Sequence, residues 1–170
     1  MMRSIVLTLM LLACSFCSMA QAPVLAVNRV DKFTKELIKQ TSLYSIKEGN
    51  ALKLHFNVRS VDDNYYLQFN VPQPVTIKKG TEITVVMEDG KSLKLVSDND
   101  IISLNEADIS KRMIVCTLDQ AEINTLLKQQ VSAVKIPTSN KGLVSVTLPA
   151  KDRPMIRTAM LLVSPKLTAR

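Results

Sequence analysis

The sequence predicts an α+β protein: a mostly antiparallel β-sheet, sandwich-like or strongly curved, with two packed amphipathic helices. Three observations carry that prediction. Apolar residues alternate with polar ones through several short runs, the period of two that a strand with one buried face requires. Glycine stands third in two tripeptides between such runs, Lys47-Glu48-Gly49 and Glu88-Asp89-Gly90, as three-residue hairpin turns demand. Only two stretches, 119–129 and 153–164, change to helical spacing.

Residues 1–20 have the form of an export signal: one early cation, Arg3, an apolar run from Ile5 to Ala13, and Ser18 and Ala20 placed for signal peptidase. The run is far shorter than the roughly 20 residues that span a bilayer, and no later stretch comes closer. A second route is open, because Leu11-Leu12-Ala13-Cys14 resembles a lipobox in which Cys14 is lipidated. On that route alone the protein is anchored to a membrane. Cleavage after Ala20 leaves 21–170, the size of a single α+β domain with enough chain to bury a core.

The full chain has a formal net charge of +7, and removing Arg3 with the leader leaves +6. Its cations are spread without a run, the pattern of a solvated basic surface that can meet anionic lipid, polysaccharide or an acidic partner. After cleavage Cys116 is the one remaining cysteine, so the fold holds by packing without an intramolecular disulfide. Its neighbours Met113, Ile114 and Val115 mark it as a small buried hydrophobe.

After a lead-in at 24–30, Ile38, Tyr44 and Ile46 share one parity and predict a strand ending at Lys47-Glu48-Gly49. A three-residue turn there sets Ile46 facing Asn50 and Tyr44 opposite Leu52. The strongest pattern follows in ALKLHFNVRSVDDNYYLQFNV, from Ala51 to Val71. Even-numbered residues are apolar before its polar break and odd-numbered ones after it, so the loop must hold an even number of residues. A turn at Asp62-Asp63 sets Val58 opposite Leu67, Phe56 opposite Phe69 and Leu54 opposite Val71. Arg59, Asn57 and His55 then face Tyr66, Gln68 and Asn70 on the other side. Pro72 and Pro74 end the strand.

In TEITVVMEDGKSLKLV the second glycine turn sets Val85 opposite Leu93 and Ile83 opposite Leu95. Residues 97–111 read as a long surface loop with a short strand near Ile101, and a buried strand is expected from Arg112 to Thr117. Asp119 as N-cap, Glu122 three residues on, and Leu118 with Ile123 as a hydrophobic staple predict a helix running to about Gln129. AVKIPTS and GLVSVTLP form a last strand pair, with Pro137 suggesting that the first lies at an edge. Ile156, Ala159, Met160 and Val163 stripe a final helix between Pro154 and Pro165.

Few residues point to chemistry. One His and one Cys cannot build a zinc site, and no cofactor is expected. A Ser-His-Asp triad would have to use His55, on the polar side of a central strand. Asp62/Asp63 and Asp98/Asp100 are paired carboxylates that also suit turns. Asp98, Asp100 and Asp108, with Asn99 and Glu106, are oxygen donors in one loop and weak calcium candidates, but their spacing is not that of an EF-hand. Nucleic-acid binding is not expected of a chain without Trp and with four of its six mature aromatics in one hairpin. Arg59 opposite Tyr66, with His55 nearby, remains as a candidate surface for a sugar or peptide.

The strings VDKFT, DDNYYLQF, EDGKSLKL and AVKIPTS together resemble a group of small exported proteins from Bacteroidetes-type bacteria. The likeness covers most of the chain after the leader and implies export and a single domain, with no activity or site. The expectation is an exported, non-catalytic envelope protein that binds a protein or glycan in the periplasm or at the cell surface. A carboxylate-based envelope hydrolase and an assembly subunit pairing through an edge strand are the alternatives.

Overall fold

A computed structural model describes residues 22–102 and 112–164. The stretch expected to be an export signal, with Cys14 and Ala20, lies outside them. Among the described residues the chain is mostly antiparallel sheet with two helices, and the sheets do not close into a barrel.

The patterned hairpin forms β4 (Ala51–Val61) and β5 (Asn64–Asn70), turned at Asp62-Asp63. Val58 lies opposite Leu67, Phe56 opposite Phe69 and Arg59 opposite Tyr66, as parity requires. Asp62 takes a left-handed backbone (φ 51). That conformation is open to Asp, whose short side chain bonds locally. Here its Oδ1 accepts the Leu37 N–H at 2.8 Å.

Two strands share the other edge of β4. β3 (Tyr44–Glu48) pairs with its first half and β2 (Leu37–Thr41) with its last residues, while β1 (Leu25–Val30) pairs outside β2. The single strand expected through Ile38, Tyr44 and Ile46 is thus two. Gln40 lies opposite Arg59 but Tyr44 opposite Phe56, a register change of one residue, and such a slip exchanges faces. Ile38 therefore stands opposite Val61 on the face of Arg59, away from Tyr44 and Ile46. The chain leaves the ladder at Ser42-Leu43, and Thr41 Oγ1 closes the gap by accepting the Val58 N–H at 3.0 Å.

The β3–β4 turn also differs from expectation. Gly49 is left-handed (φ 59), but the turn is Gly49-Asn50, and the extra residue is Lys53, bulged between Leu52 and Leu54. Tyr44 consequently faces Phe56 instead of Leu52, and Ile46 faces Leu54 instead of Asn50. The gain is an aromatic contact, with ring centroids 5.3 Å apart.

β10 (Ile114–Leu118) completes this sheet on the far edge of β5. A second sheet runs β12-β11-β7-β8, from β7 (Glu82–Met87), β8 (Ser92–Val96), β11 (Val131–Thr138) and β12 (Gly142–Thr147). Its first hairpin has the expected register, with Val85 opposite Leu93 and Ile83 opposite Leu95 around a left-handed Gly90. Pro137 misled: β11 lies inside the sheet, between β12 and β7. The proline is tolerated because the β7 ladder ends at Lys135, two residues before it. A two-stranded ribbon, β6 (Thr76–Ile77) with β9 (Ile101–Ile102), supplies the short strand expected near Ile101.

Helix α1 (Gln120–Lys128) has the full capping box: Asp119 Oδ1 accepts the Glu122 N–H at 2.8 Å and Glu122 Oε2 accepts the Asp119 N–H at 2.7 Å. Helix α2 (Met155–Val163) buries Ile156, Ala159, Met160 and Val163 and packs against α1, β4 and β2. One continuous buried cluster takes in both sheets and both helices. Cys116 belongs to it, its thiol pushed up to about 12 by burial, then by Asp98 and Glu122.

Phe56 and Phe69 are both fully buried at the centre of that cluster. Phe56→Ala should cost about 3 to 5 kcal/mol. A thermal melt indistinguishable from the parent would contradict the pairing.

Candidate functional site

The odd-numbered side chains of β4 and their partners on β5, β2 and β10 face away from the core. Over their middle lies a groove of about 570 Å³. Gln40, Asn57, Arg59 and Gln68 are among its polar side chains, with Ser42 and Asn99 at its sides, and Leu43 and Met113 bring apolar contact. Such a mixture of apolar wall and a few convergent polar groups is the usual make-up of a ligand site.

Two amides on this face of the sheet, Asn57 in the groove and Asn70 beyond its lining, are drier than a sheet surface normally leaves them. Asn57 is 5% exposed and Asn70, opposite His55, is 1% exposed. Asn70 Nδ2 donates to the Arg112 carbonyl at 3.0 Å. Asn57 Oδ1, Asn70 Oδ1, Arg59 Nε and Arg112 Nε are buried without a hydrogen-bond partner among the described residues. Each such atom costs about 1–3 kcal/mol unless something supplies a partner.

The sequence candidates fall into place unevenly. Arg59 lines the groove, and Tyr66 lies opposite it across the ladder on the same face. His55 stands two residues along, its Nδ1 2.8 Å from Ser45 Oγ on β3. Burial, followed by the Arg112 and Lys47 charges, holds its imidazole below the usual range. The charges that act on it are thus cationic, whereas a triad needs a carboxylate to orient and stabilise the ring.

The carboxylates are scattered into backbone work. Asp98 Oδ2 accepts the Thr117 N–H at 2.7 Å and the Thr117 hydroxyl at 2.8 Å. Asp100 Oδ1 accepts the Lys79 N–H at 2.8 Å, and Asp62 holds Leu37. Asn99 Oδ1 accepts the Val115 N–H while the Asp98 N–H donates to the Val115 carbonyl. Asp98 and Asn99 therefore imitate a strand along the free edge of β10. Asp108 lies outside the described residues, among which no three His, Cys, Asp or Glu side chains gather as metal ligands.

Sequence reasoning placed Asn57, Gln68 and Asn70 on this face without marking them as a site. The available signal was the change along β4 from Lys53 at its start to an amide at its centre, Asn57. A long cation suits an open surface, and a short amide suits a half-dry one. Gln40 was beyond reach, because its face depends on the slip at Ser42-Leu43. No protein-family model, curated protein or solved structure matches this chain.

The chain's one histidine makes the pH dependence of this face measurable. Because the folded pKa of His55 is lowered, the unfolded imidazole takes a proton first as pH falls through about 6.5, and stability present above that pH is lost below it. In urea titrations the stability of the parent relative to His55→Gln should fall between pH 7.5 and 5.5. A difference that stays constant across that range would refute the burial of the neutral ring.

Proposed function

We propose that this chain is an exported, non-catalytic binding module of the cell envelope and that the groove over β4 and β5 is its ligand site. One observation carries the reading: the side chains of Gln40, Asn57, Arg59 and Gln68 converge on one groove, where Asn57 is nearly fully buried and, among the described residues, Asn57 Oδ1 and Arg59 Nε have no hydrogen-bond partner. Unsatisfied buried polar atoms cost stability, and a ligand that ordered these side chains would recover part of that cost. The mixture of amide and guanidinium side chains, acceptors and donors together, suits a ligand with both, a sugar's hydroxyls or a peptide backbone. The apolar patches of Leu43 and Met113 suit the C–H faces of either. Export rests on the leader at 1–20 and on the resemblance to small Bacteroidetes-type exported proteins. No helix among the described residues is long and apolar enough to cross a membrane.

Asn57→Leu separates a ligand group from a structural one. Replacing the unpaired amide by an apolar side chain of similar size should leave stability unchanged or raise it by about 1–2 kcal/mol. The same variant should lose retention of solubilised envelope glycans and peptides that the parent holds. A markedly lower melting temperature would make Asn57 a structural residue, and undiminished retention would move the site elsewhere. Mass measurement of the native N-terminus distinguishes a lipidated Cys14 from cleavage after Ala20.

A further inference from the structure

The outer strands of the two sheets are not treated alike. β1 carries Arg29 and β8 carries Lys94, charges that discourage edge pairing, and the edge of β10 is occupied by Asp98 and Asn99. β12, GLVSVT, has no charged residue and ends its sheet. The Leu148 N–H donates to the Ser132 carbonyl at 2.8 Å, which fixes the phase of the β11–β12 ladder. In an antiparallel ladder hydrogen-bonded and non-hydrogen-bonded pairs alternate. Val146 and Val144 therefore bond to β11, whereas the N–H and C=O groups of Thr147, Ser145 and Leu143 point outward.

Beside Leu143 and Ser145 lies a groove of about 610 Å³. Residues Leu143 to Val146 form one side of it, and Leu52, Lys53 and Pro72 stand across from them. Val144 and Val146 turn inward towards the core while Leu143 is 61% exposed, so an added strand would find apolar contact on both of its faces. Lys141 also lines the groove, and Lys53 shares its charge with Glu48 at 3.3 Å.

We propose that β12 is a strand-addition site for an extended, acidic-flanked segment of a partner protein. The backbone of the guest would bond to Leu143, Ser145 and Thr147, the mode by which sheet edges capture peptides. Its aspartates or glutamates would meet Lys141 and Lys53. A second copy of this chain is the poorer occupant, since it would bring the same cations to the same edge, and an acidic segment brings their complement. This site is independent of the polar groove and stands or falls without it.

The test uses the full chain and a capped peptide of alternating valine and threonine with aspartates at both ends. Amide exchange followed by NMR should show Leu143, Ser145 and Thr147 slowed by the peptide, and Val144 and Val146 little changed. Ser145→Pro removes one outward donor without touching the β11 ladder, and should weaken peptide binding about five- to tenfold at an unchanged melting temperature. If that variant does not fold, the exchange pattern of the parent decides alone. No selective slowing at saturating peptide would overturn the proposal, as would equal binding by a folded Ser145→Pro. Slowing of the same amides that appears without peptide and grows with protein concentration would also overturn it, in favour of a second copy.

Discussion

The structure depends on one row of side chains laid across four strands. Tyr44 on β3 faces Phe56 on β4, Phe56 faces Phe69 on β5, and Phe69 faces Ile114 on β10. Every member is at most 4% exposed. Tyr44 also donates its hydroxyl to Asp152 at 2.7 Å, in the turn that leads into α2, so the row ties the sheet to the helix that covers it. With burial leading and the Asp152 contact next, the phenol is held well above its ordinary range and stays a donor. A buried carboxylate is tolerated there because its oxygen receives that hydrogen bond.

The row explains the register around β4. Aromatic pairs offer more than the area they bury, and a bulge is a modest local disturbance compared with leaving Tyr44 against a smaller partner. The bulge at Lys53 and the outward loop at Ser42-Leu43 are the adjustments that let β3 keep its aromatic opposite Phe56 while β2 continues along the same edge. Thr41 then restores the hydrogen bond that the gap would have cost.

The same bulges mark the limit of what the residues alone can tell. Across β4 and β5, and again across β7 and β8, the apolar pattern and the turn chemistry agree, and the expected pairs are found except Leu54 with Val71, because the ladder ends at His55 and Asn70, just before Pro72. The capping box and the stripe of α2 were equally plain, because helix ends and faces are local matters. At Ile38 and Gly49 the pattern was consistent with more than one register, and the choice was made by contacts with Phe56 that no local rule contains. Pro137 failed for a related reason. A proline forbids one hydrogen bond, and a neighbouring strand that stops short satisfies that condition as well as an edge does. The candidate site was legible as a polar face and illegible as a groove, since depth comes from what folds over the sheet.

That covering is supplied by the irregular residues themselves. Ser42 and Leu43, expelled from the ladder, line the groove above Asn57 and Arg59, and Asn99, held against the edge of β10, lines it beside Met113 and Val115. Had β2 and β3 run as one regular strand, Gln40 would turn to the core side and nothing would project beside Asn57. The polar face would then be an ordinary wet sheet surface, its amides paired with water and free of desolvation cost. A slip of one residue thus does two things at once: it keeps Tyr44 against Phe56 inside, and it creates outside the recess that Asn57 and Arg59 line. Bulges and strand breaks of this kind re-aim side chains and reshape a sheet surface, and here they turn a flat polar face into a groove.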